Sequence, residues 1–233
     1  MLEEVSHTLR TVGRGLLDLL YPPRCLGCGA RPETAERPLC SRCLQSLERA
    51  APMDVAARLD RLPAGGDLFE HVLALWVFDR GGPLQAVQHA VKYGDRPRYG
   101  VALGRLVGQA YAEAAAPPDG VVPVPLHRTR ELERGYNQSR VLADGVADAL
   151  NAPLRTSLLA RPHPARSQTN LSRAERWRNV QDAFAADPAC ADAHWLLVDD
   201  VLTTGSTAVA AGRALADAGA EAVSLATLAL ARQ

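Results

Sequence analysis

His194-Trp-Leu-Leu-Val-Asp199-Asp200-Val-Leu-Thr203-Thr204-Gly205-Ser206-Thr207 is the stretch on which the fold class turns. Trp195 to Val198 is an apolar run of strand length, closed by two adjacent carboxylates. A loop of hydroxyls around one glycine follows, and Ala208 to Ala218 is an alanine-rich segment of strong helix formers. Strand, acidic tip, small-residue loop and helix in that order predict an open α/β sheet with the loop at a strand's carboxyl end, where ligands bind. Backbone N–H groups of the loop and the positive end of the helix dipole suit a phosphate. No Gly-Lys-Ser/Thr sequence occurs here, which excludes a Walker-type loop. Asp199 and Asp200 beside such a nest point to hydroxyls or a bound magnesium ion, so the expected ligand has a sugar diol and a phosphate. The alternative is a buried parallel strand with an acidic end and a helix cap.

The remaining chain is read outward from this stretch. Val72 to Phe78 is a strand candidate, Pro83 to Lys92 a helix closed by Tyr93-Gly94, and Tyr99 to Ala116 a longer helix with an apolar side. Gly120 to Pro125 is a short apolar strand, Ser139 to Leu150 a helix, and Ala222 to Leu230 a last strand. Strands alternating with helices indicate a mainly parallel sheet. Residues 51–68, rich in Ala, Pro, Gly and Asp, read as a linker with one helical turn.

Before that linker, Cys25-Leu-Gly-Cys28 and Cys40-Ser-Arg-Cys43 are separated by eleven residues. Each pair makes a tight knuckle of two thiolates, and together they offer a tetrahedral four-sulfur site. A unit with so few apolar residues needs such a staple to fold, so structural zinc is expected at Cys25, Cys28, Cys40 and Cys43. Two redox pairs are the alternative, but a redox Cys-x-x-Cys belongs beside a βαβ pattern, and none is here. Cys190 stands alone. Residues 3–20 form an amphipathic pattern (Val5, Leu9, Val12, Leu16, Leu19) better suited to packing on the protein itself than to a membrane surface.

Composition bounds the function classes. The 233 residues hold one α/β domain and a small appendage, and 26 basic residues balance 26 acidic ones. Any nucleic-acid surface must be a local patch. Of the 26 basic residues only Lys92 is a lysine, an excess of arginine most simply explained by genomic base composition. No apolar run reaches membrane-spanning length, and no signal-peptide pattern opens the chain, so the cytoplasm is the expected compartment.

Two basic segments fall within the α/β scheme. Pro125 to Gln138 carries Arg128, Arg130 and Arg134 in what reads as a loop after the Val121–Val124 strand, suited to a polyanion such as pyrophosphate. The alternative is a solvated loop whose arginines pair with Glu131 and Glu133. Arg161 to Arg178 holds five arginines against one glutamate, with Trp177, and reads as a flap or a surface excursion able to stack on single-stranded nucleic acid.

Leu196 to Thr207 resembles the phosphoribosyl-pyrophosphate signature of type I phosphoribosyltransferases. Joined to the cysteine pairs, Pro123-Val-Pro-Leu-His127, Arg134-Gly-Tyr-Asn-Gln138 and the segment Gln168…Glu175-Arg176…Asn179-Val180…Phe184, it resembles the ComF family of ComFC- and GntX-like proteins. Lys92-Tyr93 also falls where that family carries a Lys-Tyr pair. The resemblance runs from about Leu16 to the end of the chain.

It implies a type I phosphoribosyltransferase-like parallel sheet flanked by helices and preceded by a small zinc-finger module with four cysteine ligands. The expected division is residues 1–50 for the amino-terminal helix and zinc module, 51–68 for the linker and 69–233 for the transferase-like domain. Asp199 and Asp200 would bind the ribose hydroxyls, and Thr203, Thr204, Gly205, Ser206 and Thr207 would cradle the 5′-phosphate. Pro125 and Leu126, with Arg134 nearby, would hold pyrophosphate with Mg²⁺, and Arg161–Arg178 would cover the reaction centre. The resemblance also implies a role in handling single-stranded DNA during natural transformation, alongside other competence proteins. Three readings stay open: a transferase on an unknown acceptor, a binding module without turnover, and an adaptor docking through the zinc module. Purine-salvage enzymes usually carry an acidic residue where this chain has Thr203, so purine salvage is disfavoured and no catalytic residue is assigned.

Overall fold

The computed structural model describes residues 22–63, 65–78, 80–93, 96–162 and 183–232. The expected helix over residues 3–20 and positions 163–178 of the expected flap lie outside them, as do Gln168, Glu175, Arg176, Asn179 and Val180.

Four parallel strands form the main sheet: β1 (Val72–Phe78), β2 (Gly120–Pro123), β5 (His194–Leu202) and β6 (Ala222–Ala231), in the order β1-β6-β5-β2. The central strands β5 and β6 are nearly continuous apolar runs because both faces are covered. Alternate strand residues feed two cores. Leu75, Val121, Leu196, Val198 and Ala226 join one cluster, while Ala74, Val122, Leu197 and Leu225 join the other.

On the first face lie α3 (Pro83–Tyr93), α4 (Pro97–Ala114) and α6 (Gln138–Leu150). Helices α4 and α6 approach closely through glycines. A Cβ on Gly104 would sit 2.0 Å from the Leu142 carbonyl oxygen, and one on Gly145 2.0 Å from that of Val101. The zinc-knuckle unit, with its short helix α1 (Ser41–Gln45), packs on this face too. Leu39, Cys25, Cys40 and Cys43 share a core with Trp76, Leu84 and Tyr99.

The second face carries α7 (Ser206–Asp217) and a helix the composition had concealed. Residues 51–68, expected to be linker, contain α2 (Pro52–Asp60), whose Val55 and Leu59 are fully buried with the sheet residues Ala74 and Leu225. Proline at the first turn starts it and two large apolar side chains one turn apart hold it, so the segment braces the sheet.

Two further differences concern the site. Strand β5 does not stop before its carboxylates; it runs through Asp199 and Asp200 to Leu202, paired with β6 at Asp199↔Thr227 and Val201↔Ala229. The basic loop after β2 is in part a helix, α5 (Arg128–Arg134), capped by the His127 ring at its start and by left-handed Gly135 (φ 82°) at its end. None of its residues is buried, which is why no apolar period announced it. A small antiparallel pair, β3 (Leu159–Ala160) with β4 (Ala185–Ala186), stands beside the sheet.

Candidate functional site

The carboxyl ends of β2 and β5 open into one cavity of about 810 Å³. Pro125, Leu126 and Arg134 line it on the β2 side, and Asp199, Asp200, Thr203 and Thr207 on the β5 side. The two anion-binding candidates from distant sequence segments therefore face one space. Thr204, Gly205 and Ser206 complete the loop between Thr203 and Thr207.

The adjacent carboxylates have different partners. Asp199 Oδ1 accepts the Ser139 hydroxyl at 2.8 Å and the Asp200 N–H at 2.8 Å. Asp200 Oδ2 lies 2.8 Å from Lys92 Nζ and accepts Gln88 Nε2 at 3.3 Å, while its Oδ1 accepts the Val201 N–H at 2.8 Å. Burial, and then the charge of Asp200, push the Asp199 carboxyl up to about 7, against the opposing pull of Ser139 and Lys92. Asp199 thus titrates near neutrality, where Asp200 has the Lys92 ammonium as counter-ion.

The motif Arg134-Gly-Tyr-Asn-Gln138 is a joint between elements. Asn137 caps α6 by accepting the Ser139 N–H at 3.0 Å and donates to the Val124 carbonyl at 2.9 Å, fixing the turn after β2 to the helix that supplies Ser139. Arg134 donates to Gln138 at 2.9 Å, and the Tyr136 hydroxyl donates to the Val91 carbonyl on α3. Among the described residues Arg134 makes no ion pair with Glu131 or Glu133; its guanidinium faces the cavity.

Arg130 and Arg161 add positive charge to the same wall. The Arg161 guanidinium lies 5.1 Å from the Phe184 ring centre, and its Nε is buried without a protein partner among the described residues. Burial first, and the nearby charge of Arg130 second, disfavour its charged form, so an anion placed between them would relieve both.

The loop Thr203–Thr207 is held from behind by α2. Arg58, only 8% exposed, donates to the Thr203 carbonyl and, at 2.9 Å, to the Ala231 carbonyl at the end of β6. Gly205 (φ +85°) turns the chain into α7, and a Cβ there would meet Leu59 at 3.0 Å and Leu62 at 3.1 Å. Gly205 itself offers no side chain to cap α7, and the Ser206 N–H donates instead to Thr204 Oγ1 at 3.4 Å. Thr204 and Ser206 share a hydroxyl contact of 3.0 Å.

Sequence reasoning did not find Arg58, Gln88 or Ser139 as site residues. Ser139 directly follows the Arg134–Gln138 motif, which is the one local signal it had. Arg58 and Gln88 had none, since each acts across more than a hundred residues of chain.

The second centre is the cysteine cluster. The four sulfurs of Cys25, Cys28, Cys40 and Cys43 all lie within 4.8 Å of one another, with Cys28 and Cys40 at 3.7 Å. Zn–S bonds of about 2.3 Å in a tetrahedron put sulfurs about 3.8 Å apart, so the arrangement fits zinc. Burial raises the Cys25 thiol, but backbone hydrogen bonds, chiefly from Cys40, outweigh it and hold the group down at about 6. Burial and the neighbouring sulfurs push Cys43 up to about 12. Four thiolates this close coexist only around a cation, and a closed set of four leaves no position for water, so the ion is structural. Cys190 is buried away from both centres.

Two family models match the chain. The double zinc ribbon domain matches residues 16–53, and the phosphoribosyl transferase domain matches residues 137–233. The DNA utilization protein YhgH of Salmonella typhimurium is 29% identical over 219 residues, 88% of this chain and 96% of that protein. Its Salmonella typhi counterpart is 34% identical over 152 residues, 63% of this chain and 67% of that protein. Competence protein F of Haemophilus influenzae is 34% identical over 93 residues, 39% of this chain and 41% of that protein. Among solved structures, the glutamine phosphoribosylpyrophosphate amidotransferase of B. subtilis complexed with ADP and GMP overlaps 60% of this chain and 30% of its own length, at 23% identity and a TM-score of 0.43. Among the described residues no helix is long and apolar enough to cross a membrane.

Proposed function

The chain belongs to the ComF family, whose members here are competence and DNA-utilization proteins, and from that premise we propose that it binds phosphoribosyl pyrophosphate and acts in the handling of single-stranded DNA. One observation carries the binding half: Asp199, Asp200 and the two ends of the loop, Thr203 and Thr207, share a cavity with Pro125, Leu126 and Arg134. A diol-and-phosphate site and a second anion site that face one another suit a sugar bearing phosphate at both ends.

The roles follow from the chemistry of each group. Asp199 and Asp200 accept from the ribose 2′ and 3′ hydroxyls. The loop N–H groups and the positive end of α7 take the 5′-phosphate. Backbone at Pro125 and Leu126, with Arg134, Arg130 and Arg161, faces the diphosphate. Magnesium travels with that diphosphate and shares its charge; Asp199 and Asp200 are oxygen donors of the kind it takes. The zinc ribbon stabilises the face of the sheet on which α3 sits. A cytoplasmic location accords with reduced cysteines around zinc.

Binding is the part of this reading that the geometry carries, and purine-salvage chemistry is disfavoured because Thr203 occupies the place where those enzymes use an acid. A transferase on an unknown acceptor is separated from binding without turnover by pyrophosphate release when candidate acceptors are added. An adaptor docking through the zinc module would bind competence partners with the phosphate cavity mutated. Ligand binding itself is tested by thermal unfolding. Phosphoribosyl pyrophosphate with Mg²⁺ at about 100 times its dissociation constant should add about 2.7 kcal/mol of stability. An unchanged midpoint at saturating ligand contradicts the proposal.

A further inference from the structure

We infer that Lys92 is a positioning residue shared between the two ends of the cavity: counter-ion to Asp200 in the free protein, and released to the ligand's diphosphate when a sugar diol engages that carboxylate. The inference rests on the phosphoribosyl pyrophosphate reading and adds to it a specific exchange.

Asp200 is the more heavily engaged, with Val201 N–H on Oδ1 and both Lys92 and Gln88 on Oδ2. At Asp199, Oδ1 is occupied, and Oδ2 has no hydrogen-bond partner among the described residues. A diol that donates to both carboxylates therefore finds one open oxygen on Asp199, and at Asp200 Oδ2, where two donors already sit, it displaces one of them. Val201 N–H is fixed in the strand. Gln88 and Lys92 are both flexible donors in the cavity wall. Only Lys92, on the last turn of α3 with its side chain 20% exposed, carries a charge that an anionic ligand can take up, and it lines the cavity that Pro125 and Arg134 also line. A displaced ammonium in that space meets the ligand's own anionic end.

Residue type supports the same exchange. Lys92 is the one lysine among 26 basic residues. A guanidinium fork would grip Asp200 through two parallel hydrogen bonds, whereas an ammonium is a compact charge that changes partners with little rearrangement. The neighbouring Val91 carbonyl is bound by Tyr136 of the Arg134–Gln138 motif, so movement at the end of α3 is felt at the anion turn.

The test uses the full chain with ribose 5-phosphate, which has the diol but no diphosphate, and phosphoribosyl pyrophosphate with Mg²⁺. Lys92→Met should weaken phosphoribosyl pyrophosphate by about tenfold or more beyond any change it causes in ribose 5-phosphate affinity. Lys92→Arg should restore less than half of that loss. Equal weakening of both ligands in Lys92→Met would make the residue a plain structural support and overturn the inference. Amine acylation read by peptide mass spectrometry follows this single lysine directly. Asp200→Asn and saturating ribose 5-phosphate should each raise its labelling, and phosphoribosyl pyrophosphate should suppress it. Labelling that ignores ribose 5-phosphate in a protein that binds it overturns the exchange alone. A wild type that binds neither ligand overturns the binding reading, and this inference with it.

Discussion

Arg58 donates a hydrogen bond to the carbonyl of Thr203, tying helix α2, through its buried face, to the first residue of the loop that enters α7. Its second donor reaches the Ala231 carbonyl, so a single guanidinium holds the loop to the end of β6. Arg58→Met leaves two carbonyls to find other partners, and a lost hydrogen bond from a charged donor costs about 1.5–3 kcal/mol. Urea unfolding should show a loss of about 2–4 kcal/mol, with weaker binding of phosphate ligands. Arg58→Lys should recover part of both. An unchanged unfolding midpoint in Arg58→Met would mean the tie is incidental.

Asp199 sets a pH dependence. Its carboxyl is held up to about 7, by burial first and by Asp200 second. The neutral acid has one fewer acceptor for a diol, so sugar-phosphate affinity should rise as pH increases through about 7 and level off above it. Stability runs the other way. The folded state keeps this proton where the unfolded chain, at an ordinary 3.8, has released it. The contribution is therefore greatest below about 4 and declines as pH rises through 7. Titration of ligand affinity from about pH 6 to 8 checks the first claim, and Asp199→Asn should flatten the profile. A wild-type profile that is already flat refutes the assignment.

The cysteine cluster predicts one zinc ion per chain, since four thiolates make one closed tetrahedral site. Metal analysis of reduced protein should find it, and Cys28→Ser or Cys40→Ser should lose it. Because Cys40 and Cys43 share a core with Trp76 and Leu84, the loss should also lower the unfolding temperature of the whole chain. Well under one zinc in the wild type would refute the site.

Much of this architecture was legible in sequence, and the exceptions have physical causes. Strand β1 reads directly because Val72 to Phe78 is an unbroken apolar run, and β6 because both its faces are buried. Helix α2 was hidden by a composition of Ala, Pro and Asp in which only Val55 and Leu59 carry the buried apolar face. Helix α5 was hidden because it buries nothing. The carboxylates of β5 read as the end of a strand, since charged residues in a central strand are costly; Ser139 and Lys92, which make them tolerable, come from helices distant in sequence. The pairing of the Pro125 turn with the Thr203–Thr207 loop was legible as chemistry. The partners that orient each carboxylate were not, because they arise only when the chain folds.

Single-stranded DNA should be retarded by the protein in a salt-dependent manner, with the affinity carried by arginines. Replacing Arg166, Arg173, Arg176 and Arg178 together should weaken binding and flatten its salt dependence. If the shift is unaltered, the DNA surface lies elsewhere on the chain.

The central claim is that one cavity recognises a sugar with phosphates at both ends. Isothermal titration calorimetry with phosphoribosyl pyrophosphate and Mg²⁺, on wild type and on the Asp199→Asn/Asp200→Asn double variant, tests it most directly. The account predicts saturable binding at one site per chain in the wild type and a loss of at least about tenfold in the variant. Absence of binding by zinc-loaded wild-type protein, or equal affinity in both proteins, would contradict it.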